Sequence, residues 1–400
     1  RLTRASLSMR MKGDMEHLEF PSLLFRFDES ILRGEAAVRF REGQLPATSF
    51  RLGLDNLDLD AYLLPRKPAG AAGEATGGKA AAPLLPVESL RNLALDGRLF
   101  VKKLSWSGLD IEKARMIVGA DEGLLKIQPV GMWVAGGKLH LKGEMDVTGD
   151  TPRMKGILTA EEVQIGPLLE AFADFDRLQG QADVRAHFAT SGNTVDELVA
   201  ALAGRGTLRM VDGSVRGFNI PQMLREAEAK LAGRTDLATG PQKTDFSELG
   251  ATWKIRNGVV TNDDLLAKSP LLRVTGAGKA DLPRERIDYL LKVVVVSTLE
   301  GQGGAGLDRL VGLPVPLRIE GPLDAPRMKL DLEAALTEKQ RQKLEKKKGE
   351  LKQKLERKLE SKLGADGEKA PLDEKEKELK ARLKKEERKM KEKLEKLLGR

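Results

Sequence analysis

From Lys138 to Asp150 the chain reads KLHLKGEMDVTGD, and this stretch limits what it can build. On an extended backbone Leu139, Leu141, Met145 and Val147 fall on one side, and Lys138, His140, Lys142, Glu144 and Asp146 on the other. A strand sends successive side chains to opposite faces, so this is the pattern of a sheet with one apolar and one wet face. RLFVKKLSW, KARMIV and LLRVTGAGKADL read the same way. FRLGLDNLDLDAYLLP alternates at Leu52, Leu54, Leu57 and Leu59 with one slip at Asn56, the mark of a bulge or a turn. Val293 to Val296 is the most apolar short run and reads as a buried strand. Asp96-Gly97, Asp212-Gly213 and Asn257-Gly258 predict tight hairpins, because a type I′ turn needs positive φ at both central residues.

Helices interrupt the strands instead of following each one. TVDELVAAL opens with Thr194 and Glu197 at capping-box spacing, and NIPQMLREAEAKL offers Asn219 as a cap with Pro221 in its first turn. IGPLLEAF, near residue 167, is a third short helix. Such spacing disfavours a parallel α/β sheet. The expected fold is mainly β: an extended, curled antiparallel sheet shaped as a groove, with a few packing helices. At about 20 strands and ~4.8 Å per strand, it would run on the order of 100 Å when uncurled. The helices near 195 and 220 are expected to shield its edges.

The chain divides by composition. Residues 1–64 form an N-terminal β segment. Residues 65–83 are rich in Gly, Ala and Pro without periodicity, a flexible linker or long loop. Residues 84–336 form the β-rich body. Residues 337–400 hold 24 Lys and Arg against 15 Asp and Glu, while the rest holds 44 against 45, so the net charge of +8 belongs to this tail. There Leu344, Leu351, Leu355, Leu359 and Leu363, then Leu379, Leu383, Met390, Leu394 and Leu397, predict two charged amphipathic helices. Glu–Lys pairs in solution, a coiled coil, or adsorption to anionic lipid are the roles open to them.

Chemistry-bearing patterns are sparse. With no cysteine and only His17, His140 and His187, far apart, neither a disulfide nor a metal centre is expected. No Gly-Lys-Ser/Thr is present, so the glycine-rich 297–316 segment reads as a loop, or as a gate at a groove mouth, and not as a phosphate cradle. Glu161-Glu162 and Asp263-Asp264 read as solvated turn residues with no nucleophile pattern nearby. No catalytic residue and no cofactor are expected. The neutral body and the tail, which has no aromatic residue, argue against a nucleic-acid partner. No run approaches the ~20 apolar residues of a membrane helix.

Four long segments, in order, resemble the AsmA family of Gram-negative bacteria: GDTPRMKGILTAEEVQIGPLLEAFADFDRLQGQADV, TSGNTVDELVAALAGRGTLRMVDGSVRGFNIPQMLREAEAKL, TDFSELGATWKIRNGVVTNDDLLAKSPLLRVTGAGKADL and GLPVPLRIEGPLDAPRMKLDLE. The resemblance runs to about residue 335; the Lys/Glu tail departs from it. It implies a periplasmic protein anchored in the inner membrane by an N-terminal helix, expected to lie outside this sequence. It also implies a likeness to bridge-like lipid-transfer proteins and a role in outer-membrane biogenesis and phospholipid supply, with no catalytic residues to carry over. On that reading Leu139, Leu141, Met145, Val147, Val293 and Val295 line an apolar groove for phospholipid acyl chains. The alternatives are an ordinary sandwich core and a periplasmic scaffold for outer-membrane protein assembly, with an envelope protein as partner.

Overall fold

The computed structural model describes residues 2–62 apart from 41 and 44, residues 83–231, 240–296 and 310–331, and residue 353. The 65–83 linker, the 337–400 tail and most of the 297–316 loop lie outside the described residues, apart from residues 83, 310–316 and 353.

The alternating segments fold into one sheet of 17 strands. The first four are β1 (Ala5–Gly13), β2 (His17–Phe27), β3 (Ser30–Arg39) and β4 (Ala47–Asp58). A short helix, α1 (Val87–Arg91), precedes β5 (Ala94–Trp106), β6 (Leu109–Asp121), β7 (Leu124–Val134), β8 (Gly137–Asp146) and β9 (Arg153–Gln164). Helix α2 (Ile165–Ala173) leads to β10 (Leu178–Ser191), α3 (Val195–Ala200) to β11 (Ala203–Arg216), and α4 (Ile220–Leu231) to β12 (Lys243–Arg256). The chain then runs through β13 (Val259–Lys268), β14 (Leu272–Asp281), β15 (Arg286–Val295), β16 (Pro314–Pro322) and β17 (Arg327–Leu330).

Each strand pairs with the next one in the chain, a meander with β1 and β17 at its edges. One junction departs from the expected antiparallel pattern: β4 and β5 run parallel, in a single register from Ala47↔Ala94 to Asp58↔Ser105. A parallel pair needs a crossover of a dozen residues or more, which the 59–93 connection supplies. Helix α3 packs on β10, mid-sheet and not at an edge, whereas α4 touches β12 and sets its apolar side chains on β14–β16, beside the edge strand β17.

Of the three predicted hairpins, one stands. Asn257 and Gly258 sit at φ 48° and 71°, joining β12 to β13. Gly97 lies inside β5, in register with Phe50, whose ring occupies the space a Cβ would take. Asp212, at φ 49°, lies inside β11 where the register to β10 slips by one residue. The carboxylate pairs are strand residues as well, not turn residues. Glu162, at φ 57°, is a bulge whose N–H donates to Asp183 Oδ1 at 2.9 Å. Asp264 sits where β13 and β14 slip, and it accepts the Thr252 N–H at 2.8 Å. A bulge bends its strand and increases local twist, so repeated bulges give a long meander its curl.

The apolar side chains collect on one face. A cross-strand ladder runs Leu7, Phe25, Leu32, Leu54, Val101 and Ala114 from β1 to β6, each in register with the next. Helix α2 covers this face between β5 and β10. Its Leu168 belongs both to the cluster of Leu109, Ile111 and Val134 and to that of Val163, Ala182 and Met210. Phe172 of the same helix meets Trp106 edge to face at 5.2 Å. Further on, α4 sets Ile220 and Leu224 against Leu272, Val293 and Leu317.

Candidate functional site

Between the parts of the face covered by α2 and α4 lies an apolar cavity of about 460 Å³. Its walls come from successive strands: Phe246 and Leu249 of β12, Leu265 and Ala267 of β13, Leu272 and Val274 of β14, Ile287 and Leu291 of β15, and Ile319 of β16. Loop residues Phe175, Phe218, Leu323 and Pro326 border it.

The sheet curls round this space, and the segment before β10 reaches the turn between β16 and β17. Arg177, just before β10, donates from Nη2 to the Asp324 carbonyl in the β16–β17 turn at 3.1 Å. Its guanidinium also lies over the Phe218 ring, 5.9 Å from the centroid. A cation over an aromatic face gains from the ring quadrupole, which helps to hold this arginine in place.

The other polar groups of the wall are occupied. Thr244 donates its hydroxyl to the Phe218 carbonyl and accepts the Ile220 N–H. Ser269 Oγ accepts the Leu272 N–H at 3.0 Å. Asp245 pairs with Lys243 at 2.9 Å, and Lys268 with Glu248 at 2.8 Å. The Tyr289 hydroxyl donates to Asn262 Oδ1. Burial, with the nearby Asp264 and Asp263 carboxylates, pushes the Tyr289 phenol up to about 12, so it stays neutral. Such a lining can hold an apolar guest.

The six residues read from the sequence are not gathered in one place. Leu139 and Leu141 are half-buried on the apolar face of β8, with Leu139 packed on the Leu109–Ile111–Val134 cluster. Met145 is half-buried opposite Met154 of β9. Val147 is fully buried just beyond β8, where its carbonyl accepts Arg91 Nε of α1 at 2.8 Å. Val293 and Val295 are fully buried in the closed cluster beneath α4 and beside Leu310 and Leu313, near the cavity but not among its lining residues. The cavity wall itself was not singled out in advance. Phe246 and Leu265 sit in strands where bulges break the alternation, Ile287 lies in the regular strand β15, and nothing in the sequence marks Arg177.

Among the described residues no group of three metal-ligating side chains is placed to hold a metal ion, and no helix is long and apolar enough to cross a membrane.

Comparison with known proteins adds the lineage. The chain is 26% identical to Protein AsmA of Escherichia coli (strain K12) over 331 residues. That match covers 80% of this chain and 53% of the relative, so the chain spans about half the length of the curated protein it matches. No solved structure matches it significantly. The AsmA family model matches residues 37–265, from β3 into β13, and the chain belongs to the AsmA family.

Proposed function

We propose that the chain is a non-enzymatic lipid-handling protein of the Gram-negative envelope. It serves outer-membrane biogenesis by holding phospholipid acyl chains against the apolar face of its sheet between the inner and outer membranes. The observation that carries this reading is the cavity of about 460 Å³, apolar in its wall, with its polar groups other than the Arg177 guanidinium already paired. Each methylene moved from water into such a site contributes roughly 0.8 kcal/mol, so a long chain binds well without polar contacts. The same face is bare at the N-terminal edge, where Leu7, Met9 and Met11 are 56%, 54% and 61% exposed. On this reading the protein works in the periplasm, tethered to the inner membrane as the family resemblance implies, and its basic tail meets anionic lipid.

A scaffold role in outer-membrane protein assembly, with an envelope protein as partner, draws support from one feature. Val293 and Val295 lie in a closed core that has no room for a guest. Native mass spectrometry with lipid extraction, on protein purified from a Gram-negative host, separates the two. Near-stoichiometric phospholipid that is lost in Leu265→Asp and Ile287→Asp variants, which remain folded, supports the lipid reading. A folded wild-type protein carrying no lipid sinks it in favour of the scaffold.

A further inference from the structure

We propose that the cavity takes a single acyl chain with an anionic head group, and that Arg177 binds the head. This rests on the acyl-chain reading above and adds the class of amphiphile.

The first argument is size. An apolar cavity of about 150 Å³ holds a benzene ring of six carbons, so 460 Å³ accommodates on the order of eighteen. That is one acyl chain, not the two of a diacyl lipid held whole.

The second argument is an accounting of charge. Three charged side chains border the cavity: Arg177, Asp245 and Lys268. Asp245 is paired with Lys243, and Lys268 with Glu248. Arg177 has no carboxylate partner among the described residues, and among them its guanidinium makes one hydrogen bond, to a backbone carbonyl. A guanidinium carries five N–H donors in a planar fork matched to carboxylate and phosphate oxygens, so most of that capacity is unspent. Phe218 stacks against it and fixes its position beside the loop residues that border the cavity. A chain lying along Phe246, Leu249 and Ile287 with its head at this end would set an anion against Arg177.

The test is calorimetric titration of the full chain with three single-chain probes below their micelle-forming concentrations: dodecyl phosphate, dodecanoate and the uncharged monododecanoyl glycerol. The wild type is expected to bind both anionic probes about tenfold or more tighter than the neutral one, the gain typical of a hydrogen bond to a charged group. Arg177→Gln should abolish that preference, while Arg177→Lys should keep part of it. Tighter phosphate binding would identify a lipid phosphate as the natural head and tighter dodecanoate a fatty acid, either in support. Equal affinity for charged and neutral probes, or a preference that survives Arg177→Gln, overturns the proposal and leaves the acyl cavity standing. Failure of all three probes to bind defeats the acyl reading itself. Should Arg177→Gln lose neutral binding through misfolding, the salt dependence of the wild type decides. An anionic preference that falls with added salt supports the assignment, and one indifferent to salt overturns it.

Discussion

Truncating Val293 and Ile287 tests where the apolar face is packed and where it is hollow. Val293 is fully buried, in register with Val274 and Val315 and walled by Leu224, Leu310 and Leu313. Val293→Ala removes two buried carbons, about 1.6 kcal/mol of transfer free energy at ~0.8 kcal/mol each. The void left in a closed cluster raises the expected loss to about 2–3 kcal/mol. Ile287, the second residue of the same strand, borders the cavity and is only half-buried. Ile287→Ala removes three carbons at about half effect, roughly 1 kcal/mol, and the space it leaves merges with a hollow already present. The larger truncation should therefore cost less. Urea unfolding with an unchanged m-value reads both as shifts in midpoint. Acyl-probe titration should register Ile287→Ala and ignore Val293→Ala. Equal losses from the two variants, or a larger one from Ile287→Ala, would show that the space near β15 is closed in solution.

Other changes probe the frame around the site. A Cβ on Gly213 would overlap the Phe246 ring, so Gly213→Ala should cost about 1–3 kcal/mol and weaken acyl binding; Gly53→Ala, whose methyl meets nothing nearer than 3.8 Å, should be close to neutral in the same urea titration. Thr194 accepts the Glu197 N–H at 3.3 Å in a capping box, and Thr194→Ala should lower stability by about 1 kcal/mol. The Asp28 carboxylate accepts the Thr3 hydroxyl, the Tyr62 hydroxyl and the N–H groups of Thr3 and Arg4, which hold its pKa well below the ordinary carboxylate range. A depressed folded pKa means that the contribution is present above the unfolded value, near 4, and fades as pH falls through the folded one. Protection of the β1 amides, measured against their intrinsic exchange rates, should fall in acid, and Asp28→Asn should lower it at neutral pH.

Much of the architecture is legible from residue order. The alternation in KLHLKGEMDVTGD becomes β8 with its apolar side inward, and the Thr194–Glu197 spacing becomes a true capping box. Asn257-Gly258 makes the turn that its chemistry asks for. The failures share a cause, which is that a short motif does not record its cross-strand neighbour. Asp96-Gly97 resembles a turn, yet Gly97 is small because Phe50 lies over it. Asp263-Asp264 resembles a turn, yet Asp264 accepts Thr252 across a bulge. The parallel β4–β5 pair depends on a crossover through residues whose composition shows only looseness. The cavity is hidden for the same reason. Its wall is a set of residues spread over seven strands, β11 to β17, and Arg177 gains a role only once the curl brings it to Asp324, 147 positions later.

Coverage of the apolar face changes systematically along the meander, and that gradient bears on how a guest would move. At β1 the face is bare, at β5–β10 it lies under α2, and over β12–β16 it is hollow beside Ile287 and Ile319 but closed beneath α4, on β14–β16. An acyl chain gains roughly 0.8 kcal/mol for each methylene it buries, so it is drawn from bare face towards hollow. It cannot pass where Val293, Leu224 and Leu313 already fill the space. A uniform trough would let a chain slide the whole length of the sheet with no preferred stop. The observed order makes the cavity the low point and the core beneath α4 its wall. Onward passage would then require displacement of α4 from the face, exposing the apolar cluster that Ile220 and Leu224 now seal. Cross-linking α4 to the face through cysteines placed in this cysteine-free chain separates holding from passing. Acyl binding should survive the cross-link, and transfer between vesicles should stop. Transfer that continues with α4 locked would place the route elsewhere on the sheet.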